Sequence, residues 1–261
     1  MKKMKRMLSV LFALALMLGL TACSSAPTAQ EVYDQAIANL NAATGLDANL
    51  DMTMTMSDET DSMDISMGAA MKAQDVNTET MKMDMLMNVD VMGMSVEMQT
   101  YYADGYYMMD LMGQKIKYAM PLDDAMEQVS LTQELSDEMM ENLTMEESDG
   151  VRTLSYSVDV AKLGEASTAE EYMSILESMG LADMMGDTNM TYDSMSGTMT
   201  VNEDGYMTSN NVSMAGTVDV EGTPVNFELQ MGLTYNNPGQ AVTVEIPDAS
   251  EYIEIDASML E

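Results

Sequence analysis

The stretch TMKMDMLMNVDVMGMSVEM, residues 80–98, carries a thioether at nearly every second position. The chain holds 36 methionines in 261 residues. Soft sulfur ligands select Cu(I), and Met-X-Met spacing on a strand puts two sulfurs on one side, so copper binding is one chemistry open to them. Such sites are usually completed by His, Cys or an aromatic cap, and this chain has no His and a single Cys. The methionines also keep step with Val, Ile and Leu, which is how packing residues behave. Methionine is unbranched and flexible, so it suits either an irregular core or the wall of an adaptable pocket. No metal site is therefore expected, with thioether copper kept as a third reading.

Other chemistries are thinner. Without His there is no imidazole base and no Ser-His-Asp triad. No G-x-S-x-G, S-x-x-K or glycine-rich phosphate loop occurs. Nothing singles out a glycosidase-like carboxylate pair among the 44 acidic residues. The acidic stretches SDETDSMD (57–64) and GDTNMTYDS (186–194) lack the ligand spacing of an EF-hand loop and read as solvated hairpin tips. The expectation is a protein that is not an enzyme and uses no cofactor.

The lone thiol has a different use. MKKMKRMLSVLFALALMLGLTAC opens with basic residues, continues with an apolar run from Met7 to Leu20, and ends in the lipobox Leu20-Thr21-Ala22-Cys23. Small residues before the cysteine fit a signal peptidase, and the thiol takes a diacylglyceryl group before cleavage. The apolar run is short for a spanning helix. The expected organisation is a signal peptide over 1–22, a lipidated tether over 23–29 with Cys23 as the attachment point, and one domain over 30–261. That places the domain on the outer face of the cell membrane, held by its lipid.

Lys2, Lys3, Lys5 and Arg6 would leave with the leader. The remainder carries 6 basic against 44 acidic residues, a net charge of −38. A surface of that sign repels nucleic acid, so no nucleic-acid partner is expected.

The elements that position the methionines follow from period two. Met81, Met83, Met85, Met87, Val89 and Val91 share odd positions, and Lys82, Asp84, Asn88 and Asp90 share even ones. After Met92-Gly93 the apolar set moves to Met94, Val96 and Met98. A two-residue hairpin turn requires that change of parity, pairing Val91 with Met94, Val89 with Val96 and Met87 with Met98. The same shift recurs at Asp104-Gly105, Gly113-Gln114, Asp149-Gly150, Asp204-Gly205 and Glu221-Gly222. Met52–Met56 and Met63–Met67 form the first hairpin. Between Ala73 and Met81 the parity holds, so that loop needs an odd residue count or a bulge. Tyr101, Tyr102, Tyr106 and Tyr107 read as cross-strand pairs that hold register.

Three stretches have helical period. In the first, Thr28 and Glu31 form a capping box ahead of Val32, Ala36, Ile37 and Leu40, with Gly45 as a stop. The second is 122–142, with a stripe of Leu131, Leu135 and Met139. The third is STAEEYMSILESMG, with Thr168 and Glu171 as its box. The fold class is α+β: a curved antiparallel half-barrel sheet of about eleven strands with about three helices packed on its concave side. The blocks 46–120 and 143–246 each read as a meander.

The lipobox, the N-terminal amphipathic helix, the hairpin TYYADGYYMMDLMGQKIKYAMP, the pair MTVNEDGYMTSNNVSM and the closing NNPGQAVTVEIPDASEY together resemble the LolA/LppX-like lipoprotein superfamily, in its uncharacterised Gram-positive branch. The resemblance runs from about Gln30 to Tyr252. It implies a sheet closed by helices around an apolar cavity, which in characterised branches carries acyl chains. A soft wall of Met52, Met54, Met83, Met85, Met87, Met98, Met214 and Leu229 is then expected to bind a hydrophobic, lipid-like ligand. The alternative is a filled core in a structural or protein-interaction envelope module.

Overall fold

The computed structural model describes residues 26–58, 60–129, 139–163, 190–220 and 223–256. The leader, Cys23 and the helix expected over 167–180 lie outside them.

Twelve strands form one open, curved sheet. The first meander is β1 (Gly45–Ser57), β2 (Ser62–Gln74), β3 (Lys82–Val91), β4 (Met94–Ala103), β5 (Tyr106–Leu111) and β6 (Gln114–Ala119). The second is β7 (Met140–Ser148), β8 (Val151–Val158), β9 (Met190–Val201), β10 (Met207–Val220) and β11 (Thr223–Tyr235). Antiparallel pairing of β1 with β11, from Ala48 opposite Tyr235 to Ser57 opposite Asn226, joins the two. A two-residue strand, β12 (Ile253–Glu254), lies parallel to β6 at the edge. It is the strand that alternation could not show, because two residues have no period.

The expected registers hold in the first meander. Val91 faces Met94, Val89 faces Val96 and Met87 faces Met98. Met52 faces Met67 and Met54 faces Ile65. Gln74 faces Lys82, which leaves seven residues in the connecting loop, an odd number as the parity requires. One turn sits a residue earlier than read: Leu111 faces Gln114, so the turn is Met112-Gly113. Around Asp204-Gly205 the parity does not change, because Val201 faces Met207 across a five-residue loop; a bulge at Thr208 then moves the inward set of β10 from odd to even positions, and a bulge at Asp193 does the same to β9 on its N-terminal side.

Helix α1 (Ala29–Asn41) begins with the expected capping box, in which the Thr28 side chain accepts from the Glu31 backbone N–H and the Glu31 carboxylate accepts from the Thr28 N–H. It buries Val32, Tyr33, Ala36 and Ile37 against the concave face. The helix ends at Asn41, and Gly45 opens β1 instead of stopping a helix; a Cβ there would stand 3.0 Å from the Val242 nitrogen. The helix expected over 122–142 is shorter. Helix α2 covers Leu122–Val129, and Met140, Glu141 and Asn142 belong to β7. The expected stripe ends short of Met139, which is buried as the residue before a strand, and Leu131 and Leu135 lie outside the described residues. One further turn of helix, α3 (Val160–Leu163), follows β8.

The C-terminal segment crosses the convex face as a strap. Tyr252 covers Met108 and Ala103, which explains why Met108 is 1% exposed although its parity points away from the concave side. Lys115 holds the strap by a 2.7 Å contact to Glu251 and by lying 5.5 Å from the Tyr252 ring centre. Lys117 donates to the Ala249 carbonyl at 3.1 Å and lies 5.3 Å from the Tyr106 ring centre.

Candidate functional site

Pairing across neighbouring strands lines the concave side chains into rungs. One rung runs Val96, Val89, Met67, Met52, Met231, Val212, Gly197 and Tyr156, across eight strands. The next, one step toward the 58–61 and 92–93 hairpin tips, runs Met94, Val91, Ile65, Met54, Leu229, Met214 and Met195. Apart from the Tyr156 hydroxyl, every side chain in these two rungs is apolar. Period two and a consistent register are enough to build such a wall, because each strand contributes one residue per rung.

Of the eight residues expected on the wall, Met52, Met54, Met83, Met85 and Met214 are buried, and Met87, Met98 and Leu229 are half-buried. They fall into different surroundings. Met83 and Met85 join the cluster that includes α1 and Ala125 of α2. Met52 and Met54 form a second group with Ile65 and Met67, against which Met87 and Leu229 pack. Met214 belongs to a third, with Tyr156, Val158, Met195, Val212 and Phe227. Among the described residues the last two groups are built from strands, with only Met139 and Val160 added from outside. Ile65, Met67, Met195 and Phe227 were not on the expected list, although their parity already marked them as inward.

Two glycines let aromatic rings lie flat along this wall. A Cβ on Gly197 would come 2.3 Å from both the Cζ and the hydroxyl oxygen of Tyr156, so the ring rests directly over that position. The Tyr156 hydroxyl reaches Asn210 Oδ1 at 3.3 Å and donates to it. Burial pushes that hydroxyl's pKa up to about 12, against which the Asn210 bond acts weakly. At Gly216 the Phe227 ring takes the vacant space and meets Tyr192 edge-on, with ring centres 6.3 Å apart.

Toward α1 the concave side is closed by aromatic residues. Tyr102 faces Tyr107 across β4 and β5, as the register reading required, and Tyr107 stacks at a tilt on Tyr118 with centres 5.5 Å apart. Thr100, fully buried, donates its hydroxyl hydrogen to the Met85 carbonyl. Tyr101 and Tyr106 lie on the other face, beside Tyr252 and Lys117 respectively.

Exposure rises sharply along the rungs toward the first meander's outer strands. Met54 is 3% exposed, Val96 45% and Met94 70%. The acidic stretch 57–64 closes its own turn: Asp58 Oδ1 accepts from the backbone N–H of Thr60 and Asp61, which lowers its pKa. Residues 186–189 lie outside the described part, and 190–194 open β9. Among the described residues no three His, Cys, Asp or Glu side chains group as a metal site, and no helix is long and apolar enough to cross a membrane.

No curated protein sequence matches this chain. Among solved structures it is similar to LprF from Mycobacterium bovis, at 12% identity over 85% of this chain and 99% of that one, with a TM-score of 0.37. It is also similar to a putative outer membrane lipoprotein-sorting protein domain from Vibrio parahaemolyticus, at 12% identity over 81% and 95%, TM-score 0.24. A third is a DUF1329 family protein from Desulfovibrio piger, at 10% identity over 90% and 100%, TM-score 0.25. The family model described as DUF6612, a family of unknown function, matches residues 28–251, from the cap of α1 to the strap over the convex face, and the chain belongs to that family.

Proposed function

We propose that this protein is an extracytoplasmic lipoprotein, tethered through Cys23, that holds a hydrophobic, lipid-like ligand against its concave face without performing catalysis. The observation that supports this reading is the pair of apolar rungs from Met94 to Met195 and from Val96 to Tyr156. Their methionines and aliphatic side chains lie beyond the cluster that α1 fills. Met52, Met54, Met87, Met98, Met214 and Leu229 are the proposed contacts. Met83 and Met85 stand at the α1 end and set its floor. Burying each methylene of an acyl chain contributes about 0.8 kcal/mol, so about ten methylenes offset the ordering cost of binding without any polar contact.

A second reading has its own observation. Met52, Met54, Ile65 and Met67 are all below 10% exposed, as in a core that is already filled. In that case the protein is a structural or interaction module of the envelope. Native mass spectrometry of the domain beginning at Ser24, purified without detergent, separates the two. Co-purifying acyl species that are lost on delipidation and restored on reloading support the ligand reading. A protein that leaves the column bare, and whose melting temperature no acyl lipid raises, supports the filled core. Stoichiometric copper would turn the same thioethers to metal binding instead.

A further inference from the structure

Among the described residues, four hairpins use the same two-residue turn, with both residues at positive φ. Two carry aspartate at the first position, Asp104 at φ 52° and Asp149 at φ 52°. The other two carry methionine, Met92 at φ 54° and Met112 at φ 53°. Aspartate tolerates the left-handed region through local hydrogen bonds, whereas a side chain like methionine is disfavoured there. The turn itself does not call for methionine, because the sibling turns show the polar solution. Both methionines point into solvent, at 74% and 86% exposed.

They are continuous with an open strip on the concave face of β3 to β5. Met94, Val96 and Leu111 are exposed there, and Met87 and Met98 half-exposed. Four strands from β3 to β6, at about 4.8 Å spacing, span roughly 15–20 Å, the length of about 10–13 helical residues.

The charge around the strip has one sign. Asp90 and Asp110 accept from the backbone N–H of Gly93 and Gly113, which fixes a carboxylate beside each methionine tip. Asp58 and Asp61 lie at the neighbouring β1–β2 tip, while Glu97 and Asp64 stand on the convex side of β4 and β2. The one cation on these strands near the strip, Lys115, is engaged by Glu251.

We infer that this methionine strip is a docking surface for a cationic amphipathic helix. Methionine gives an apolar surface that adapts to varied side chains, and the carboxylates at its edge meet lysines flanking the apolar stripe of the helix. The same carboxylates disfavour an anionic bilayer, and two copies of the strip would bring like charges together. The helix would rest on the exposed residues Met92, Met94, Val96, Leu111 and Met112, and Met87 and Met98, shared with the proposed lipid contacts, mark its inner border.

The test uses the full chain in neutral phosphatidylcholine nanodiscs, with empty nanodiscs as the blank, and a fluorescein-labelled 14-residue Lys/Leu helix as probe. Anisotropy should report binding that weakens as salt rises toward the range where the Debye length falls below about 8 Å. The triple variant M92S/M94S/M112S, altered only at exposed positions, should bind about tenfold more weakly. D90N/D110N, which keeps the acceptor oxygens of both turns, should flatten the salt dependence. A Glu/Leu helix, or a Lys/Ser peptide of equal charge, should bind at least about tenfold more weakly than the Lys/Leu probe. The inference is overturned if the methionine variant binds as the parent does, or if either control peptide binds as well as the probe. It is equally overturned if the strip proves to be covered by the bilayer or by a second copy, seen as Met92 and Met112 protected from peroxide in the absence of peptide.

Discussion

Gly197 offers the sharpest check on how the concave wall is built. Adding a single methyl there, in G197A, places a carbon 2.3 Å from the Cζ and hydroxyl oxygen of Tyr156. An ordinary contact needs more than another ångström, so the ring must leave its seat. Tyr156 is 5% exposed and packed among Met195, Val212 and Met214, and the overpacking should cost about 1–3 kcal/mol. The ring also carries the hydroxyl away from Asn210, which removes a hydrogen bond worth about 0.5–1.5 kcal/mol net. The expected loss is therefore about 2–4 kcal/mol. The background Y156A changes the sign. With the ring gone, the new methyl enters open space on extended backbone, and replacing glycine by alanine should be neutral or stabilise by up to about 1 kcal/mol, through the entropy of the unfolded chain. Urea denaturation followed by circular dichroism would measure all four corners of the cycle; the chain has no Trp, so fluorescence is less useful. If G197A costs the same with and without Tyr156, the ring does not lie over this glycine, and the description of the wall is wrong.

Three further outcomes follow from single contacts. Tyr156 titrates at about 12 when folded and near 10 when unfolded, so the native state keeps its proton longer. The stability it supplies is complete below pH 10 and is lost as pH rises through 12, and Y156F should remove about 2–3 kcal/mol of that alkaline decline in denaturation curves taken between those values. Tyr252, 6% exposed over Met108, anchors the strap, so Y252A should cost about 3 kcal/mol. Amide exchange at Ile255, whose N–H donates to the Lys117 carbonyl, should quicken before the rest of the sheet; equal protection in both proteins would show that the strap is held elsewhere. Finally, M54A should cost about 2–5 kcal/mol and M92A less than about 0.5, since one side chain is 3% and the other 74% exposed; similar melting temperatures for the two would undo the assignment of inside and outside.

Hairpins were legible in the sequence because their physics is local. A two-residue turn ties the parity of one strand to that of the next, so Met87 opposite Met98 could be written down from spacing alone. The pairing of β1 with β11 could not. No turn joins them, their partners are up to 187 positions apart, and any two inward-facing strands satisfy the same alternation. Bulges were equally hidden: nothing in the residues around Thr208 or Asp193 announces an extra position, yet each moves the inward set by one. The strap failed for another reason. Met108 looked outward by parity and was, but a tyrosine more than a hundred residues later covers it. On the wall, alternation gave the correct face for each methionine named. It could not give the cover, because whether Met83 meets a helix or Met94 meets water depends on where α1 lies along the strands.

The choice of methionine for so many inward positions has a cost that bears on both proposals. Branched residues fit a pleated, half-buried surface better, by up to about 1 kcal/mol per site, and methionine gives up about 1.5–2 kcal/mol of rotamer freedom when it is buried. Ladders of ten or more pairs, such as β1 with β2, can absorb that loss where a short sheet could not. At the α1 end the loss returns nothing obvious, since Val32, Tyr33, Ala36 and Ile37 already define a fixed partner for Met83. It is at the rungs of Met52 and Met54, and on the open strip of Met92 and Met94, that a wall able to change shape has something to gain, because an occupant there is not built into the fold. Replacing methionine by leucine at these two places should therefore narrow the range of acyl chains held inside and of peptides held outside, with little change in stability. At Met83 the same replacement should alter neither.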